Sequence, residues 1–236
     1  MDNKITIAIH QPNYIPWIGY FHKMAICDIF VILDNVQYEK NLFQNRNRIK
    51  TPQGAMWLSL PIKRKFPQLL NCAILNNFSE ERKKHLKTIE FNYKKAKYFN
   101  YLFPEIKKIF ENDWQYLSQL NISLINLFRS KLEIKTKIEI ASNYNISGRG
   151  TDLLINICKK FNADTYISGK GGFVGGKKYL KESKFKINNI KLKYNDFNIP
   201  IYNQLWKDFV PNLSVIDLIF NYGPKSLEII LSSNNY

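Results

Sequence analysis

His10 follows the apolar run "KITIAI" and opens the stretch "HQPNYIPWIGYFHKM". An imidazole at such a place can take a proton as a general base, or donate a hydrogen bond to a phosphate. A histidine packed beneath Trp17 and fully satisfied there is the plain structural alternative. Asp34 follows a second apolar run, "IFVIL". Its carboxylate can orient His10 or hold an amine directly. It can equally close a turn with Asn35 by bonding its own backbone.

Around these two lies an unusual set of amides: Gln11, Asn13, Gln37, Gln44, Asn45 and Asn47, interleaved with Arg46 and Arg48 in "QNRNR". Side-chain amides offer donors and acceptors together, as sugar hydroxyls and nucleobase edges require. Arginine adds two-pronged recognition of phosphate or carboxylate. Tyr14, Trp17 and Tyr20 can stack on a sugar or base, or fill a core. The glycine-rich stretch Ser168, Gly169, Lys170, Gly171, Gly172 continues to Lys177 and can cradle an anion with its backbone N–H groups. It misses a phosphate-binding GxxxxGK[ST] motif by one residue. Lys178 stands where a Ser or Thr would bind magnesium, so a Walker-type ATPase is rejected.

The elements that must carry these residues alternate. Ile5–Ile9 reads as a strand, Ile18–Ala25 as a helix and Ile29–Leu33 as a strand buried on both faces. Strand, crossover helix and strand within this distance form a βαβ unit. "AMWLSLPI" is a further apolar run after the turn signal "TPQG". Ser79, with Glu80 and Glu81, signals a helix start. The apolar spacing of Leu86, Ile89 and Tyr93, of Leu102, Ile106 and Phe110, and of Leu117, Leu120, Leu124 and Phe128 predicts three helices. "KIEIAS", "DTYISG" and "IKLKYND" read as strands, and "LSVIDLIFNYG" as a helix capped by Ser214 and stopped at Gly223. The expected fold is α/β: a mainly parallel, Rossmann-like sheet with helices on both faces and a helical insertion. The chain is expected to form a single domain, 1–236, with an N-terminal α/β portion at 1–78, a helical insertion at 79–133 and a C-terminal α/β portion at 134–236. His10, Asp34 and Gly169 each fall at the carboxyl end of a predicted strand, where sheets of this kind bind ligands.

Composition narrows the functional classes. The net charge is +16, and residues 40–79 contain no Asp or Glu while holding Arg46, Arg48, Lys50, Lys63, Arg64 and Lys65. A general lysine-rich bias accounts for the total; the one-signed segment points to an anion-facing surface. Cys27, Cys72 and Cys158 are odd in number and widely spaced, and make no zinc or disulfide framework. The start "MDNKITIAIHQP" lacks the apolar core of a signal peptide, and no apolar run is long enough for a membrane span. A cytoplasmic location is expected.

The blocks "HQPNYIPWIGYFHKM", "DIFVILDNVQYEKN", "QNRNRIKTPQGAMWLSLPI", "YISGKGG" and "PIYNQLWKDFVPNLSVIDLIFNYG" resemble, in order and over nearly the whole chain, the WbqC-like protein family. The segment Phe173–Lys178 is longer than the family's usual link. The resemblance implies a role in bacterial surface polysaccharide (O-antigen, lipopolysaccharide) biosynthesis. It implies an enzyme that transfers an acyl or aminoacyl group, such as glycyl, to the amino group of a nucleotide-linked amino sugar. The donor would be acyl-CoA, aminoacyl-tRNA or ATP plus an amino acid. In that reading His10 and Asp34 are catalytic. Gln11, Asn13, Tyr14, Trp17, Gln37, Asn45, Arg46, Asn47, Arg48 and residues 168–172 bind substrate, and no metal is required. The alternatives are a non-catalytic nucleotide- or nucleic-acid-binding module, and a scaffold in polysaccharide assembly. A weaker likeness in layout, to the nucleotidyltransferase and pantothenate-synthetase class, lacks the second histidine of the HxGH motif: Trp17–Tyr20 occupy that region.

Overall fold

The structure is a computed structural model and describes residues 4–63, 67–169, 173–174, 177–178 and 180–232. In chain order its elements are β1 (Thr6–His10), α1 (Ile18–Ala25), β2 (Ile29–Ile32), β3 (Arg46–Thr51), β4 (Gly54–Ser59), α2 (Phe78–Tyr93), α3 (Phe99–Glu111), α4 (Leu117–Lys131) and β5 (Lys137–Ile140). There follow α5 (Thr151–Lys160), β6 (Thr165–Ser168), β7 (Phe173–Val174), β8 (Lys177–Lys178), α6 (Glu182–Ile187), β9 (Lys191–Tyr194), α7 (Val215–Tyr222) and α8 (Ser226–Ser232).

The chain divides into two compact units. The first gathers the chain up to Gln11, Lys23–Asp34 and Lys135–Phe197. Its centre is a five-stranded sheet in the order β5-β2-β1-β6-β9, with every pairing parallel. Counted within the sheet, that is the 3-2-1-4-5 order of a doubly wound fold. The apolar runs explain the middle positions: Ile7, Ala8, Phe30, Val31 and Ile32 are fully buried, as a parallel strand covered on both faces must be. Asp28 fixes the entry to β1 by accepting the Thr6 amide at 2.7 Å. Tyr166 stacks on Phe185 of α6 with ring centres 5.3 Å apart. The expected mixed α/β class, with a parallel sheet flanked by helices, is what the chain adopts.

The second unit comprises Pro12–His22, Asn35–Ile134 and the chain from Asn198 onward. It contains the antiparallel hairpin β3–β4 and the helices α2, α3, α4, α7 and α8. Ile89, Leu102, Ile106, Phe110, Leu120, Leu124 and Phe128 form its core, the residues whose helical spacing stands out in the sequence. Tyr93 and Phe99 each stack on Phe220 of α7, at 4.8 and 5.6 Å. Ser214 caps α7 through its hydroxyl, which accepts the Ile216 amide, and Gly223 ends that helix at φ +53°. A Cβ at Gly223 would lie 2.4 Å from the Tyr98 ring. The start of α2 differs from expectation by one residue. Asn77 precedes it in the left-handed conformation and gives no side-chain cap, so Ser79 lies inside the first turn.

Candidate functional site

The sheet order of the first unit reverses between β1 and β6. In an open parallel sheet the carboxyl ends at such a switch point flank a crevice, because the connections leave in opposite directions. His10 is the last residue of β1, opposite Ile32 of β2. The β1–β6 register places Ala8 beside Ile167, so Ser168 and Gly169 emerge next to Ile9 and His10. Asp34 follows β2, and Asn195 follows β9, where its amide donates to the Ser168 carbonyl at 2.7 Å. These residues share one rim.

His10 is half-buried, with Nδ1 3.0 Å from the Gln11 carbonyl. The tautomer with its proton on Nδ1 donates to that oxygen and makes Nε2 an acceptor. Burial, then the nearby Lys23 ammonium, lowers the His10 pKa to about 3, against a smaller upward pull from the Gln11 carbonyl. The imidazole is therefore neutral throughout the physiological range. Lys23, on the last turn of α1, is 4% exposed. Its Nζ donates to the Ile9 carbonyl at 3.1 Å and lies 6.0 Å from the centre of the Phe30 ring. Desolvation lowers its pKa to about 8.

Asp34 is buried, and both its oxygens are engaged by Ser142. The Ser142 amide donates to Oδ1 at 2.9 Å and the hydroxyl to Oδ2 at 2.6 Å. Asp34 thus ties the end of β2 to the segment after β5. Ser168 is buried and its hydroxyl donates to the Gly169 carbonyl at 3.2 Å. A Cβ at Gly169 would meet nothing among the described residues. Lys170, Gly171 and Gly172 lie outside the described residues. Three groups escaped the sequence reading: Lys23, Ser142 and Asn195. The Oδ1 of Asn195 is buried without a hydrogen-bond partner among the described residues. Its place directly after the strand "KLKY" is a signal of the same kind as that of His10.

The remaining sequence candidates, apart from Gln11, lie in the second unit. The loop that opens it, Pro12–Trp17, is held almost atom by atom. Asn47 donates to the Ile15 carbonyl at 2.8 Å, and its Oδ1 accepts the Arg48 amide at 2.8 Å. Asn121 donates to the carbonyls of Pro12 and Gln44 at 2.9 and 2.8 Å. Tyr14 is fully buried, with its hydroxyl 2.7 Å from His85 Nδ1. Asn13 is also buried. Ile15 is held at φ +36°, a strained value for a β-branched residue. Trp17 bridges to Ser214, and its ring lies where a Cβ on Gly19 would approach within 2.4 Å. Asn45 donates to the Leu60 carbonyl at 2.8 Å, and Gln44 accepts the Glu39 amide at 2.8 Å. Gln37 is exposed and bridges to Leu69.

Arg46 and Arg48 share one face of the β3–β4 hairpin. Their guanidinium carbons lie 4.4 and 5.7 Å from the centre of the Trp57 ring, a cation–π arrangement. Arg48 also reaches the carbonyls of Pro211 and Asn212 at 3.4 and 3.3 Å. Trp57 and Phe43 lie 6.0 Å apart and both are 44% exposed. A cationic, aromatic platform of this kind can hold an anion and stack a ring.

Among the described residues no group of three or more His, Cys, Asp or Glu could hold a metal ion. No helix among them is long and apolar enough to cross a membrane. A sequence model of the WbqC-like protein family matches residues 11–229. The uncharacterized protein Rv1507c of Mycobacterium tuberculosis (strain ATCC 25618 / H37Rv) is 35% identical over 224 residues, covering 93% of this chain and 95% of that protein. No solved structure matches. With nearly its whole length matched, the chain belongs to the WbqC-like protein family.

Proposed function

We propose that the protein is a transferase of surface-polysaccharide (O-antigen) biosynthesis that joins an acyl or aminoacyl group to the amine of a nucleotide-linked amino sugar. The observation that carries this reading is the rim at the sheet's switch point, where His10, Ser168, Gly169 and Asn195 come together. In the reaction a C–N bond forms and the bond from the acyl carbon to its leaving group breaks. The amine must shed a proton, and the leaving group takes one up. In the free protein His10 is a neutral acceptor that orients the amine through Nε2. Burial first and the Lys23 ammonium second hold it weak as a base, so offsetting that charge strengthens it in part. Asp34 supports the rim through Ser142.

The test is incubation with a panel of nucleotide-linked amino sugars and with acyl-CoA, charged tRNA or ATP plus amino acid, read by mass spectrometry. An N-acylated sugar is the expected product. Its absence across the panel, with a protein that still binds nucleotide sugar, would favour a second reading. That second reading, a non-catalytic nucleotide- or nucleic-acid-binding module, draws on the Arg46–Trp57 platform. Arg46→Ala is the clean probe, because Arg48 also supports the backbone at Pro211 and Asn212. Tighter binding of single-stranded RNA than of nucleotide sugar, lost in Arg46→Ala, would establish it.

A further inference from the structure

Lys23 is an anomaly among the buried groups of the first unit. A buried ammonium is ordinarily matched by a carboxylate or by a full set of acceptors. Lys50, in the second unit, shows the ordinary case: its Nζ donates to the Lys207 carbonyl at 3.0 Å and to that of Asp208, and the Asp217 carboxylate lies near. Lys23 has one described hydrogen bond, to the Ile9 carbonyl, and no carboxylate among the described residues offsets its charge. It sits one residue back from the carboxyl end of β1, against the strand that ends in His10. Such an arrangement costs stability, as groups arranged for a ligand commonly do.

We propose that Lys23 is the charge partner of an oxyanion, a phosphate or diphosphate group, bound at the carboxyl ends of β1 and β6. No described residue crowds Gly169, and the β1–β6 register sets Ser168 and Gly169 beside Ile9 and His10, where the lysine bonds the Ile9 carbonyl. This deepens the transferase reading by assigning the phosphate-bearing part of the substrate to the first unit. It also supplies a switch. An anion opposite Lys23 offsets the second of the two causes that keep His10 neutral, burial being the first, so substrate binding shifts His10 toward proton acceptance. Anion binding itself does not depend on the transferase reading being right.

The experiment is thermal unfolding of the whole chain with inorganic pyrophosphate, at fixed ionic strength set by chloride. Near saturation, pyrophosphate is expected to raise the Tm of the wild type by about 3–6 °C. Lys23→Gln keeps a donor for the Ile9 carbonyl but removes the charge. It should melt no lower than the wild type without pyrophosphate, and should lose the rise. Lys23→Met serves as a second uncharged variant. An undiminished rise in Lys23→Gln would overturn the proposal, as would no rise in the wild type. A pyrophosphate response at Lys23 together with a product-free substrate panel would retain this site and discard the transferase.

Discussion

His10 shows how one atom's partner sets what a residue can do. Its Nδ1 lies against the Gln11 carbonyl, so the chemistry is left to Nε2. In His10→Asn the side-chain amide falls near the position of Nδ1 and can keep the contact with Gln11, but it supplies nothing in place of Nε2. We expect His10→Asn to melt close to the wild type and to lose about 10²–10⁴-fold in turnover. His10→Ala should lose turnover and also melt lower. Near-normal turnover in His10→Asn would make this histidine a structural anchor. The residue itself was legible from its place after an apolar run. Its electrostatic setting was not, because Lys23 reads in "FHKMA" as an ordinary solvent-facing lysine, and only the folded chain buries it beside β1. Asp34 was equally legible as a strand-end acid. Its partner Ser142 is 108 residues away in sequence, beyond the reach of any local pattern.

At the scale of elements, continuous apolar runs identified β1 and β2 because both faces of those strands are buried. The strand β3, "RNRIKT", escaped because its inward residues include Asn47 and Lys50. Buried polar side chains are tolerated there only because the Ile15 carbonyl accepts Asn47 and the carbonyls of Lys207 and Asp208 accept the Lys50 ammonium. The amides that look in sequence like readers of a ligand are, at Asn45 and Asn47, bonded to backbone, as is Asn121, which the sequence does not single out. The loop that begins after His10 is therefore a keystone of the second unit. Asn47→Ala should lower stability by about 2–4 kcal/mol, since it leaves the buried Ile15 carbonyl and Arg48 amide unpaired. Asn47→Asp should be worse. It would keep the acceptor for Arg48 but set a carboxylate against the Ile15 carbonyl. Urea unfolding of both variants checks this; a loss below about 1 kcal/mol in Asn47→Ala would mean that the strained Ile15 is held by packing alone.

Across the whole molecule, the pH dependence of stability sets two opposed terms against each other. His10 and His85 are held at about 3 and about 4, both chiefly by burial, against an ordinary value of 6.5. Their protonation favours the unfolded chain, so the stability they contribute is complete above about pH 6.5 and is lost as pH falls toward 4. Asp217 behaves in the opposite sense. It is fully buried, and its carboxyl accepts the hydroxyls of Tyr93 and Tyr202 at 2.9 and 2.8 Å. Burial, against the pull of those hydroxyls and of Lys50, raises its pKa from 3.8 to about 6. Its protonated form is favoured by folding, so its contribution is complete below about pH 3.8 and is lost as pH rises through 6. The shift corresponds to about 3 kcal/mol between those limits. Asp217→Asn removes this term while keeping an oxygen for Tyr93 and an amide that Tyr202 can meet as acceptor. The Tm of the wild type minus that of Asp217→Asn should therefore grow steadily more favourable to the wild type as pH falls from 6 to 4. In the variant the acid loss from the two histidines should stand out more steeply. A difference that stays constant over this range would show that Asp217 titrates alike in the folded and unfolded chain, with its two tyrosines and Lys50 offsetting the whole cost of its burial.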